Sequence, residues 1–335
     1  MASVLPWSTT PNWCILTILF LNSNGVVQRL ISFLHQPQAY RRGYLSRCYL
    51  VLSLLFTVPV SGAEAAESQA ITPVYYAGKL RQDYYTDLLQ LALSYPCAAQ
   101  YTLLPSDLDL PKKRAFDLMN AGQGIDVMYG SASTELINTY RAIPFPILRG
   151  LMGLRIALVS SAEPNILKNA HSVAALSRLR VGQFISWSDT AILRANDFNV
   201  EAASTLESLY QMLDKGRIDY FPRSVLEIQQ NQAEHAELNL QIDPHILLYY
   251  PTATYYYVAK DNNALADALL CGLEHAQQSG QLNQLFERYY GDVLQQLNVA
   301  GRRVIKLQNP LLPAGVPLLR PELWYPLPDN SASKQ

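Results

Sequence analysis

Five consecutive residues, Ser186, Trp187, Ser188, Asp189 and Thr190, gather hydroxyls, a carboxylate and a large ring in one stretch. Ser188 or Asp189 can cap a following helix, whose first N–H groups would then face an anionic group. Trp187 can stack on a flat ligand or on an aliphatic body. Arg223 and Ser224 close a strand-like run, and a guanidinium there offers a planar five-donor fork suited to carboxylate or phosphate. Ser131 opens a Ser/Thr cluster, Arg141 and Arg155 follow it, and Tyr76, Tyr129 and Tyr255 offer rings with polar tips. These residue types bind small molecules. The parts of a catalytic site are missing: His171, His235, His245 and His275 show neither metal-ligand spacing nor a Ser or Cys partner pattern. Gly122 and Gly124 lack the rest of a phosphate-loop or dinucleotide signature. Asp126 and Asp219 begin matching turns, where a structural role is expected. No enzyme activity, cofactor or metal is expected.

The chain has 335 residues, 49% apolar and 16% charged, enough to bury a sizeable core and too apolar for disorder. Its 26 Lys and Arg balance 27 Asp and Glu, so the basic surplus of a nucleic-acid surface is absent. Arg41, Arg42 and Arg47 precede an uncharged apolar run at 48–60, and Ser61, Gly62, Ala63, Ala65 and Ala66 follow. Basic, apolar, then small residues is the pattern of a secretory signal, expected to be cleaved near 63–66. The run falls short of the roughly 20 residues that span a bilayer. The forty residues before it are an unusual preamble, and the expectation is that translation begins near Arg41. The first 66 residues hold four arginines and one glutamate, leaving 22 basic against 26 acidic residues at 67–335. Export would place Cys97 and Cys271 in an oxidising compartment, where pairing and two separate thiols are both open.

Elements must position these groups. Residues 71–76 read as a strand, 84–94 and 112–120 as amphipathic helices, and 124–130 as a glycine-bounded strand, a βαβ rhythm that predicts a parallel sheet. A second series follows Gly150, with strands at 154–160 and 179–185 and helices at 173–179, 190–195 and 206–213. Gly216, Ile218 and Asp219 repeat the turn-then-strand pattern of Gly124, Ile125 and Asp126, so two similar α/β halves are predicted. A tyrosine-rich strand at 254–259, helices at 265–277 and 282–290, and six prolines from Pro310 to Pro328 complete the chain.

The order of these motifs resembles solute-binding protein family 3, the periplasmic substrate-binding proteins of amino-acid ABC importers. The resemblance rests on Gly124-Ile125-Asp126 with its Ser/Thr cluster, on Gly216-Arg217-Ile218-Asp219, and on the strand, helix, glycine, helix ending at 255–290, and it covers about residues 70–292. It implies a type II periplasmic-binding fold, an α/β chain of two lobes joined by two crossing segments. Lobe one would comprise 67–150 and 252–300, lobe two 151–251, and the proline-rich strap 301–335. The carboxyl ends of the strands nominate the loops 76–81, 129–134, 186–190 and 222–224 as the site. Family members hold an amino acid with an arginine in the first lobe and an acid in the second. Here those positions fall on Leu136 and Ser224, with Arg141 and Arg223 nearby.

The expectation is an exported, monomeric solute-binding protein that closes over a small anionic or zwitterionic, amino-acid-like ligand. It would serve an ABC-type importer or a membrane sensor. The competing reading is a periplasmic interaction module with a degenerate cleft, and the third, an enzyme on the same fold, lacks an acid/base constellation.

Overall fold

The computed structural model describes residues 71–328, together with an antiparallel strand pair, β1 (Leu16–Leu21) and β2 (Val27–Ser32). Residues 1–66 and 67–335 are separate compact units. The predicted export signal at 41–66 lies outside the described residues. No described helix is long and apolar enough to cross a membrane.

The second unit begins with β3 (Thr72–Tyr76), α1 (Tyr84–Leu93), β4 (Tyr101–Pro105), α2 (Lys112–Asn120), β5 (Met128–Ser131), α3 (Thr134–Thr139) and β6 (Arg141–Ile143). It crosses to a second lobe of β7 (Leu154–Ser160), α4 (Val173–Leu176), β8 (Arg180–Phe184), α5 (Ser188–Ala195), β9 (Asn199–Ala203) and α6 (Leu206–Asp214). There β10 (Phe221–Ser224), α7 (Ile228–Glu234), β11 (Leu240–Ile242) and β12 (Ile246–Tyr249) follow. It returns to the first lobe as β13 (Thr254–Val258), α8 (Asn263–Gln278) and α9 (Gln281–Gln296). It then re-enters the second lobe as β14 (Arg303–Lys306).

The result is a two-lobed α/β fold with an internal echo. In lobe one β3 pairs in parallel with β4 and touches Val127 through a parallel bridge from Tyr76, and β5 and β6 flank β13 antiparallel. In lobe two β8 pairs in parallel with β9 and bridges to Tyr220, and β10, β7, β12 and β14 form a second sheet in that order, with β11 also paired to β7. The matching turns are latched alike. The Asp126 carboxylate accepts the Tyr75 N–H at 2.8 Å and that of Asp219 accepts the Arg180 N–H at 2.7 Å. Both acids therefore tie a turn to the neighbouring strand, the structural role the sequence suggested.

Local chemistry sets the helix starts. Asp83 and Thr86 form a capping box for α1, and Ser133, Thr205 and Asn262 cap α3, α6 and α8. Cys97, in a short turn after α1, forms a disulfide with Cys271 on α8. The same two helices touch at Gly272, where an added Cβ would lie 2.0 Å from the Ala92 carbonyl oxygen. Gly272→Ala is therefore expected to lower stability by about 1–3 kcal/mol, read as a shifted urea midpoint at unchanged slope.

The C-terminal segment differs from a plain surface strap at its start. β14 pairs in parallel with β12, so residues 303–306 are an integral strand of the lobe-two sheet. Pro222, Arg223 and Ser224, nominated as a loop, form β10 and pair with β7, Arg223 facing Ile156 and Ser224 facing Arg155.

Candidate functional site

A groove of about 440 Å³ opens between the lobes. Ser131 and Ser133 stand on its lobe-one side, where β5 ends and α3 begins. Arg155, Trp187, Ser188, Asp189 and Glu227 stand on the lobe-two side, with Ser186 at the start of that wall. Tyr250 and Thr252 line it from the second crossing, and Asn309 and Leu311 from the C-terminal segment.

Charges enter the groove already paired. Arg155 is buried as the second residue of β7; its Nη2 lies 2.7 Å from Asp189 Oδ1 and its Nε donates to Tyr250 Oη at 2.8 Å. Tyr250 in turn donates to the same carboxylate oxygen of Asp189. Burial works against the Arg155 charge, but Tyr250, Asp189 and Glu227 more than offset it, so its pKa rises and the guanidinium stays protonated. Burial raises the Tyr250 phenol, keeping it a neutral donor. Glu227 Oε1 lies 3.7 Å from Arg155 Nη1 and 3.2 Å from Arg223 Nη2, and it accepts the Ser224 N–H at 3.1 Å. Two guanidinium groups thus meet two carboxylates, and the surrounding hydroxyls present a polar surface of balanced charge.

Arg223 works from beneath. It is 3% exposed, donates to Asn231 Oδ1 at 2.8 Å, and stacks 4.7 Å from the Trp187 ring centre. The guanidinium expected to contact ligand instead props the ring that lines the groove, because β10 carries it into the sheet. Ser224, 1% exposed, is likewise inside. The expected side-chain cap of α5 is absent: Trp187 is the N-cap without a capping side chain, and Ser188 and Asp189 lie in the first turn. Asp189 turns to Arg155 because a buried guanidinium requires a carboxylate partner more than a helix end does. Thr190 donates its hydroxyl to the Phe184 carbonyl at 2.7 Å and is buried.

The remaining predicted residues lie elsewhere. Tyr76 and Tyr129 border a separate cavity of about 230 Å³ within lobe one, together with Arg81, Tyr85 and Lys112. The Tyr85 and Tyr129 rings are stacked at 3.8 Å, and Lys112 Nζ lies 5.3 Å from the Tyr129 ring centre. Tyr255 is 2% exposed and packs with Tyr257 in the core. Arg141 is exposed on β6, 3.9 Å from Asp267 of α8, and lines neither hollow.

Ser131, Arg155, Ser186, Trp187, Ser188 and Asp189 are therefore brought together, and the others are not. Sequence reasoning missed Glu227, Tyr250, Thr252 and Asn309. Glu227 had a usable signal, an acid three residues past a strand end. Asn309 had none, since it meets the Pro251 carbonyl across 58 positions of chain.

No protein-family model matches the sequence, and no curated protein matches it. Solved structures that it resembles include substrate-binding proteins of amino-acid ABC transporters. One is the second substrate-binding domain of a putative amino acid ABC transporter from Streptococcus pneumoniae, at 14% identity, covering 65% of this chain and 99% of that one, with a TM-score of 0.47. Another is a probable amino-acid ABC transporter extracellular-binding protein from Bacillus subtilis, at 14% identity, 66% and 99% coverage and a TM-score of 0.47. A third is the unliganded, open L-cystine solute receptor of Neisseria gonorrhoeae, at 12% identity, 66% and 94% coverage and a TM-score of 0.47.

Proposed function

We propose that the chain is an exported solute-binding protein that holds a small, amino-acid-like molecule in the interlobe groove. The observation that carries this reading is the groove itself: serines from lobe one face Trp187, Ser188 and the Arg155–Asp189–Glu227 cluster of lobe two. Hydroxyls and the Asn309 amide supply neutral hydrogen bonds, and Trp187, propped by Arg223, supplies a rigid platform. Of the two ligand classes the sequence suggested, the zwitterion fits better. The groove offers one buried guanidinium and one half-exposed carboxylate, so a ligand carrying both signs can share both without leaving an uncompensated charge. The amino-acid class and delivery to an ABC-type importer or membrane sensor follow the resemblance in sequence motifs, export through a cleavable signal follows the basic, apolar and small-residue pattern at 41–66, and a monomeric state belongs to the same reading. Lobe one would be 67–150 with 252–300, and lobe two 151–251 with β14 added.

A second reading, a degenerate cleft that binds another protein, is favoured by Leu136 and Ser224 standing where charged anchors are expected. A thermal-shift screen over amino acids, dicarboxylates and short peptides separates the two. A true ligand at a hundredfold excess over its dissociation constant stabilises by about 2.7 kcal/mol. Trp187→Ala should remove most of that gain. A flat response across the panel, or a gain that survives Trp187→Ala intact, would sink the solute-binding reading at this groove.

A further inference from the structure

We propose that the C-terminal segment, residues 297–325, braces the hinge and holds the two lobes at one angle, so that the groove is a preformed site. A hinge made of two extended crossings swings by changing a few backbone dihedrals. Here the chain passes between the lobes four times, and the two additional passages are fixed at both ends.

The first two crossings already touch. Tyr250 N donates to the Gly153 carbonyl at 3.2 Å, and an added Cβ on Gly153 would lie 2.0 Å from the Tyr250 carbonyl oxygen. The third passage leads from α9 into β14 and is locked by Arg302. Arg302, 6% exposed, donates to the Leu297 carbonyl at 2.8 Å and to the carbonyls of Asp243 and Ile246 in lobe two. Gln229 of α7 reaches Gln296 of α9 at 3.1 Å beside it.

The fourth passage is the proline-rich strap. At its lobe-two end, Asn196 and Gln308 exchange two hydrogen bonds of 2.8 and 3.0 Å, and Leu307 N donates to the Tyr249 carbonyl at 2.7 Å. Asn309 then donates to the Pro251 carbonyl of the second crossing at 2.8 Å. At its lobe-one end, Arg320 grips Glu274 of α8 with a two-pronged contact of 2.5 and 2.8 Å, and Tyr325 N donates to the Arg149 carbonyl at 2.8 Å. The Trp324 ring covers Gly150 in the first crossing, where φ is +80° and an added Cβ would come within 2.7 Å of the ring. Both crossings therefore sit under strap residues, and Asn309 and Leu311 also wall the groove. Prolines stiffen the span between the anchors. Any swing of the lobes must detach one end of the strap or pull β14 from β12. A site held in this way binds with little ordering cost.

The test is independent of what the groove binds. A sequence-specific protease site is inserted between Ala314 and Gly315, both exposed, and the folded full chain is compared before and after cleavage. Spin labels at Lys113→Cys in lobe one and Arg178→Cys in lobe two, with Cys14→Ser and Cys48→Ser, report the interlobe distance. The expected result is one narrow distance in the uncut protein and a broader, shifted distribution once the strap is cut. Identical distributions before and after, whether narrow or broad, would overturn the brace, as would a broad distribution in the uncut protein. Should cleavage unfold the chain, the uncut double variant Arg320→Ala, Trp324→Ala releases only the lobe-one end and must show the same shift.

Discussion

Replacing Arg302 with methionine is expected to lower the unfolding free energy by about 3–5 kcal/mol. The guanidinium is buried with Asp243, itself fully buried, and lies 3.9 Å from its carboxylate. Burial pushes the Arg302 pKa down to about 10 and the Asp243 pKa up, each working against the charge that the partner favours. Removing one partner strands the other, and it leaves the carbonyls of Leu297, Asp243 and Ile246 without their donor. The loss should shrink as the medium is acidified. A carboxyl whose folded pKa stands above its unfolded value binds protons more readily when folded, so stability rises as pH falls through that folded value. The second-site change Asp243→Asn removes the stranded charge and keeps an oxygen for the N–H groups of His245 and Ile246. Urea unfolding of the single and double variants checks this, and an Arg302→Met deficit that neither acid nor Asp243→Asn reduces would mean that the stranded charge is not its source.

Loss of the Cys97–Cys271 disulfide should be comparably damaging. The bond joins residues 174 positions apart, and the loop it closes contains all of lobe two except β14. The chain-entropy relation gives about 5 kcal/mol for a loop of that size, and removal of native disulfides typically costs about 2–5 kcal/mol. The double variant Cys97→Ser, Cys271→Ser should unfold at a lower guanidinium concentration than the oxidised protein. The oxidised protein treated with reductant should fall to the same midpoint. Equal midpoints for variant and oxidised protein would show that helix packing between α1 and α8 suffices. A thiol pair of this kind suits an oxidising compartment, in keeping with the proposed export.

The elements that the sequence revealed are those whose burial leaves a periodic mark. α2 spans 112–120 and β7 spans 154–160, as read, because one buries a helical stripe and the other is apolar along nearly its whole length. β13 is buried on both faces, which makes it apolar throughout: Tyr255 and Tyr257 face one core cluster and Tyr256 faces another. β4 and β9 went unread. Both are edge strands with alternating, half-exposed side chains, and β4 ends in a proline, so neither carries a continuous apolar run. α7, rich in Gln with one fully buried residue, Ile228, was silent for the same reason.

By itself the sequence determined the α/β rhythm of two similar halves, the matching aspartate turns, and the cluster at 186–189 that lines one wall of the groove, because each rests on residues near one another in the chain. Only the tertiary structure decided which charges face the groove. Arg223 and Asp189 are both strand-end or helix-start residues by pattern, yet one props a tryptophan from below and the other neutralises Arg155. That outcome depends on which side chain a buried guanidinium finds within reach, a contact between residues 34 positions apart for Arg155 and Asp189. The C-terminal strap shows the same limit: its prolines announce an extended path, but where that path is anchored depends on partners on both lobes that no local pattern can name.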